Sequence, residues 1–155
     1  MPRLFWLWLL LPLLAACSQA PESPEQRIRE LIGQGEAAAE ARDRDFFAEV
    51  ISPDYSDADG RTRRDLLRMV TGYFLRNRAI HLLVRIEEIQ LLEGERAQAV
   101  LYAGMAGSPV EGFEQLLALR AAVYRMELTF KLDADIRLLH ADWRRVDPEE
   151  VFPDL

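Results

Sequence analysis

The chain has 155 residues, half of them hydrophobic, and its 26 acidic against 19 basic side chains give a net charge of −7. That length suits one domain with its own core, and an acidic surface without a basic stripe repels phosphates, so no nucleic acid partner is expected. Cys17 is the only cysteine, which excludes a disulfide within one chain.

The first element is apolar. Arg3 precedes thirteen uncharged residues, Leu4 to Ala16, rich in Leu and Trp. A helix of that length, at ~1.5 Å per residue, falls well short of a ~30 Å hydrocarbon core, so the segment reads as a signal peptide and not as a membrane span. It ends in Leu14-Ala15-Ala16-Cys17, which resembles the lipobox of bacterial lipoproteins. The resemblance implies a signal peptide over residues 1–16, removed in the mature protein, with diacylglycerol and palmitate on Cys17. Several acyl chains, at ~0.8 kcal/mol per buried methylene, anchor a protein firmly. Ser18 follows the cysteine, and the resemblance then implies the outer membrane, facing the periplasm, as the location. Residues 17–155 hold 18 basic and 26 acidic side chains, a net charge of −8. Residues 17–24, polar with Pro21, read as the lipidated cysteine and a short tether.

Ser23-Pro24-Glu25-Gln26 carries a cap, a proline at the first helical position and a glutamine at the third, and predicts a helix start. Ile28, Leu31, Ile32, Ala38 and Ala39 then form its apolar stripe. Gly33 and Gly35 weaken that helix by roughly 1 kcal/mol each relative to Ala, which predicts close packing there. Asp43 caps a second helix bearing Phe46, Phe47, Val50 and Ile51, which stops before Pro53. Asp54 to Gly60 is turn-rich, with room for a very short strand around Tyr55. Thr62 and Asp65 make a capping box for a third helix, with Leu66, Leu67, Val70 and Phe74 on its buried side.

From Ala79 the apolar period changes from 3.6 to 2. Ile80, Leu82, Val84 and Ile86 alternate with polar neighbours, and the phase then moves to Ile89 and Leu91, predicting a bulge near Glu87-Glu88. Glu93-Gly94-Glu95 turns into a second strand, Arg96 to Ala106, and Phe113 to Leu119 has the pattern of a helical turn. The third strand alternates Tyr124, Met126, Leu128, Phe130 and Leu132 with Arg125, Glu127, Thr129 and Lys131. The last runs from Ile136 to Val146.

Three N-terminal helices before four antiparallel strands predict an α+β fold, with the helices packed on one side of a strongly bent, mainly antiparallel four-stranded sheet. Asp43, Phe46-Phe47, Ser52-Pro53-Asp54-Tyr55, Asp59-Gly60-Arg61-Thr62 and the closing Ile136-Arg137-Leu138-Leu139-His140-Ala141-Asp142-Trp143 resemble the nuclear transport factor 2-like superfamily, of cystatin-like, ketosteroid isomerase-like fold, over residues 25–147. Residues 148–155 are left as a C-terminal tail. The resemblance implies a cone whose pocket relatives use as isomerases, as dehydratases or for binding alone, so fold does not select function.

Catalysis in such a cone needs a general base and an acid or oxyanion donor converging on an apolar cavity. Tyr55, His81, Tyr102, Tyr124, Glu127, His140 and Asp142 are the candidates. His81 falls in the outward phase of its strand. His140 shares the phase of Ile136 and Leu138, and Asp142 follows two residues on, so the pair is expected to meet inside. Pocket lining is expected of Tyr55, Tyr102, Tyr124, His140 and Asp142. Arg61, Arg63 and Arg64 cluster at the start of the third helix, as solvated surface or as a contact for a partner or anionic lipid. Two histidines and no helical ligand spacing predict no metal, and the absence of a glycine-rich phosphate loop predicts no nucleotide cofactor. The reading that follows is a membrane-anchored, non-catalytic envelope lipoprotein binding a small apolar ligand or an envelope protein. A pocket enzyme of isomerase or dehydratase type, and a module that interacts, or forms a homodimer, through its sheet face, are the alternatives.

Overall fold

The computed structural model describes residues 22–119 and 121–147. The expected leader, Cys17, most of the tether and the tail 148–155 lie outside these described residues. Helix α1 spans Pro24–Ala41, and the Ser23 hydroxyl accepts the Gln26 amide at 3.2 Å. It ends where Arg42 turns left-handed at φ 57°, its amide bonding back to the carbonyls of Ala38 and Ala39. Of its two glycines, Gly33 has nothing within 4 Å of a Cβ position and Gly35 meets the Phe46 ring at an ordinary 3.7 Å. The expected close approach is therefore absent: the Gly33 face is open, and Gly35 sits at normal contact distance. Helix α2, Arg44–Val50, starts on Asp43, whose Oδ1 accepts the amides of Asp45 and Phe46. Helix α3, Arg63–Arg76, starts where Asp65 accepts both the amide and the hydroxyl of Thr62.

Strands β1 His81–Leu92, β2 Arg96–Ala106, β3 Ala122–Leu132 and β4 Ile136–Val146 form one antiparallel sheet in the order β1-β2-β3-β4. Register defines its rows. Leu91, Ala97, Phe130 and Leu138 align across all four strands, as do Ile89, Ala99, Leu128 and Ala141, then Ile86, Leu101, Met126 and Trp143. Two bulges keep these rows on one face. Glu87 is extra between Ile86 and Glu88, where the sequence predicts it, and Leu139 is extra between Leu138 and His140.

The face these rows share packs on the helices. Ile28 of α1, fully buried, meets Ala97, Ala99 and Phe130, while Ile51, Tyr55 and Leu67 meet Ala141. Alanines in the central strand let the helix come close without leaving a void. The opposite face is covered at one end by a short helix α4, Phe113–Ala118. There Phe113 packs on Tyr102, Val123 and Val146, and fully buried Leu116 lies over Gly104, where a Cβ would come within 2.2 Å of its Cδ1.

Each sheet edge is hydrogen-bonded over part of its length, which reduces the run of exposed edge groups. On β4, Ser52 and Ser56 donate their amides to the carbonyls of Leu138 and Leu139, at 2.9 and 3.2 Å. On β1, Glu40 accepts the Leu82 amide at 3.0 Å and Glu36 takes that of Val84. Four helical residues rise ~6 Å and two strand residues ~6.6 Å, so glutamates spaced i, i+4 match alternate strand amides.

Candidate functional site

The inner face of the sheet changes character along its length. Ile28, Ala97, Ala99 and Phe130 are 0–3% exposed, with Ile89, Leu128 and Leu138 partly buried around them. Toward the start of β1 and the end of β4 the same face carries Leu82, Val84, Met105, Tyr124, Met126 and Trp143, all only partly buried. On α3, Val70 and Phe74 are also partly buried, Phe74 edge-on to Phe47. The strand side chains of this set are apolar, lie in the inward phase of the sheet and keep part of their surface open.

Tyr55, in the segment between α2 and α3, joins this set through Trp143. Its ring packs with Ile51, Leu67, Ala141 and Trp143, and only 3% of the residue is exposed. The hydroxyl is buried and has no hydrogen-bond partner among the described residues. An unpaired buried hydroxyl costs ~1–3 kcal/mol, so a missing acceptor or donor is implied. Burial, and then the nearby Asp57 carboxylate, push its pKa well above the usual tyrosine value, only partly offset by Arg61. Tyr55 is therefore a neutral hydroxyl at any physiological pH, able to donate one proton and accept another.

The loop beside Tyr55 is built around Asp57. Asp57 accepts the amides of Asp59 and Arg61 at 3.0 and 2.8 Å and the Arg61 guanidinium at 3.0 Å. Burial opposes the Asp57 charge, but the Arg61 amide and guanidinium and the Asp59 amide outweigh it and hold the carboxyl below its usual range. Arg61 also pairs with Asp59 and lies 5.2 Å from the centre of the Trp143 ring. Arg63 donates to the carbonyls of Ile51 and Ala48, tying α3 to the end of α2. Two of the three clustered arginines thus serve the fold, and Arg64 alone faces solvent.

The sequence candidates separate into two groups. Tyr55 and Tyr124 lie on the inner side, Tyr124 opposite Ala103 and Arg145. Tyr102 does not: it sits in the outward phase opposite Arg125, with which its hydroxyl interacts, buried beneath α4. Glu127 also faces outward, paired with Arg125 and within 3.5 Å of the Gln98 amide nitrogen. His81 is outward, its Nδ1 3.9 Å from Glu40.

His140 and Asp142 require a correction. The expectation that they share the phase of Ile136 and Leu138 fails because Leu139 bulges and reverses the alternation. His140 pairs with Thr129 and Asp142 with Glu127, in the outward rows. The His140 ring nitrogen Nδ1 lies 2.6 Å from the Ser56 carbonyl, so it is the protonated nitrogen and donates there. Asp142 is exposed, and among the described residues no hydrogen bond or ion pair joins it to His140. The signal was in the spacing: Leu138, Ala141 and Trp143 repeat the three-then-two step of Ile86, Ile89 and Leu91.

Sequence reasoning also missed two residues of this end. Trp143 was read only as the close of a strand, although its phase follows from that spacing. Glu36, half-buried between α1 and β1, has its pKa raised by burial and by Glu40, with the Val84 amide working the other way. A separate cleft of about 670 Å³ lies between α1, α2 and the β3–β4 turn, but Arg27, Glu30, Glu49, Asp135 and Arg137 make it mixed in charge and open. Among the described residues there is no metal-ligating cluster, and no helix is long and apolar enough to cross a membrane.

No protein-family model matches the chain, and no curated protein matches it in sequence. Solved structures do resemble it. An uncharacterised protein of cystatin-like fold from Caulobacter vibrioides superimposes with a TM-score of 0.61 at 20% identity, over 82% of this chain and 92% of its own. A nuclear transport factor 2-like protein from Cytophaga hutchinsonii gives 0.58 at 12%, over 81% and 100%. A candidate scytalone dehydratase from Novosphingobium aromaticivorans gives 0.58 at 14%, over 79% and 85%. At such identities the likeness is one of fold, and this chain has the cystatin-like, nuclear transport factor 2-like fold.

Proposed function

We propose that the three N-terminal helices and the bent sheet enclose a cone, and that its open end binds a small, largely apolar ligand whose one polar group pairs with Tyr55. The buried Tyr55 hydroxyl, without a partner among the described residues, carries this reading, and the partly open inward side chains Leu82, Met105, Tyr124 and Met126 supply the apolar lining. A neutral hydroxyl among apolar side chains suits a carbonyl, ether or hydroxyl better than an anion. Binding is favoured over catalysis because proton transfer needs a second titratable group converging on the same space, and His140 and Asp142 face the other way. A sheet-face interaction is disfavoured by the Arg125–Glu127 pair and by α4 on that face.

In this reading residues 1–16 are a signal peptide and lipid on Cys17 holds the domain at the outer membrane, facing the periplasm. The Leu14-Ala15-Ala16-Cys17 sequence supports it. Native mass spectrometry of residues 18–155 tests the pocket: a discrete extra mass, released on denaturation, is expected. A domain that is always empty, and takes up no apolar compound from a mixed library, contradicts the proposal.

A further inference from the structure

The exposed side of α3 has a different chemistry from the rest of the surface. At ~100° per residue, Arg64, Arg68, Met69, Leu75 and Arg76 fall within an arc of about 140°, with buried Leu67 outside it. All are open to solvent: the side chains of Arg64 and Arg68 are 81% and 70% exposed, and Leu75 and Met69 are 82% and 43% exposed. Beside Leu75 a shallow groove of about 330 Å³ is flanked by Arg42 and Arg44, and exposed Arg78 lies just past the helix. The one carboxylate on this arc, Asp65, is already occupied by Thr62 and lies 3.3 Å from Arg68. Among the described residues Arg42, Arg76 and Arg78 have no carboxylate partner. A positive, leucine-bearing face therefore interrupts a domain that is acidic overall.

We propose that this face of α3 rests on an anionic lipid bilayer, the arginines pairing with headgroup phosphates while Leu75 and Met69 enter the interface. Arginine stems lie along an apolar boundary with their charges in water, which suits single apolar residues scattered among cations on a convex helix. A protein partner would need a larger continuous patch. The proposal rests on lipid anchoring at Cys17. The six peptide steps from Cys17 to Ser23 span at most ~20 Å, so an anchored domain meets the surface at a high effective concentration, and weak contacts suffice.

The test uses residues 18–155 without lipid, which contain every described element, in sedimentation with vesicles of phosphatidylcholine alone or with 30% phosphatidylglycerol. Binding is expected only to the anionic vesicles, with loss at 0.5 M salt. Arg68→Gln and Arg76→Gln should each weaken it about fivefold, and Leu75→Ser should weaken it further, all at unchanged melting temperature. No binding, equal binding to neutral vesicles, or variants that fold and bind like the wild type overturn the proposal; the first result would turn attention to an acidic protein. Lipidation is read separately, from the mass of the mature protein, so either result can fail while the other stands.

Discussion

The two ends of one sheet face differ although the same alternation builds both. At one end Ile28 drops onto Ala97, Ala99 and Phe130, all 0–3% exposed, with partly buried Ile89, Leu128 and Leu138 around them. At the other, Met105, Tyr124, Met126 and Trp143 keep the inward phase but are only partly buried, and Tyr55 buries a hydroxyl that finds no partner among the described residues. Periodicity sets which way a side chain points; the depth of the opposing layer decides whether that direction ends in core or in a cavity. A buried residue should therefore act on stability at the filled end and on binding at the open one.

The largest effect is expected at the filled end. Phe130→Ala leaves a cavity where no neighbour can close in and should cost about 3–5 kcal/mol, read from urea denaturation. On the opposite face, Gly104→Ala drives a Cβ into Leu116 and should cost about 1–3 kcal/mol. Amide exchange would show the loss as early opening of α4. At the open end the sign reverses: Tyr55→Phe removes an unpaired buried hydroxyl and should raise the stability of the ligand-free domain by about 1 kcal/mol while weakening ligand binding.

Titration sharpens the contrast further. Because the Asp57 carboxyl is held below its usual range in the folded state, its stabilisation is present above the unfolded carboxylate pKa and is lost as pH falls through the folded one. The stability gap between wild type and Asp57→Asn should therefore close below about pH 4. Glu36 has the opposite sign, since its raised pKa makes stability fall as pH rises past the ordinary value. Glu36→Gln keeps an acceptor for the Val84 amide and, being partly solvent-screened, should raise Tm near pH 7 by no more than about 2 °C.

Much of this fold is legible in the sequence because caps and periods are local. Ser23, Asp43 and Thr62 mark three helix starts, and the Ile86-to-Ile89 step places the Glu87 bulge. The site was harder to read because it depends on a second bulge of the same kind. At Leu139 the inserted residue is itself a leucine, so the run Leu138-Leu139-His140 hides the reversal that a charged Glu87 announces. Without that slip the alternation puts His140 and Asp142 inward and Trp143 outward, the reverse of their register. Tyr102 misleads for another reason: it is buried, but beneath α4, a six-residue helix whose packing over Gly104 is a long-range fact that no local pattern encodes.

Trp143 offers the most direct test of the open end, being the only tryptophan in residues 17–155. Titrating residues 18–155 with the uncharged apolar fluorophore N-phenyl-1-naphthylamine should give saturable one-to-one binding, with Trp143 emission quenched by energy transfer and the probe displaced by an apolar ligand. A linear, unsaturable rise with Trp143 emission unchanged would mean that this end is packed core, and the account of a ligand-binding cone would be wrong.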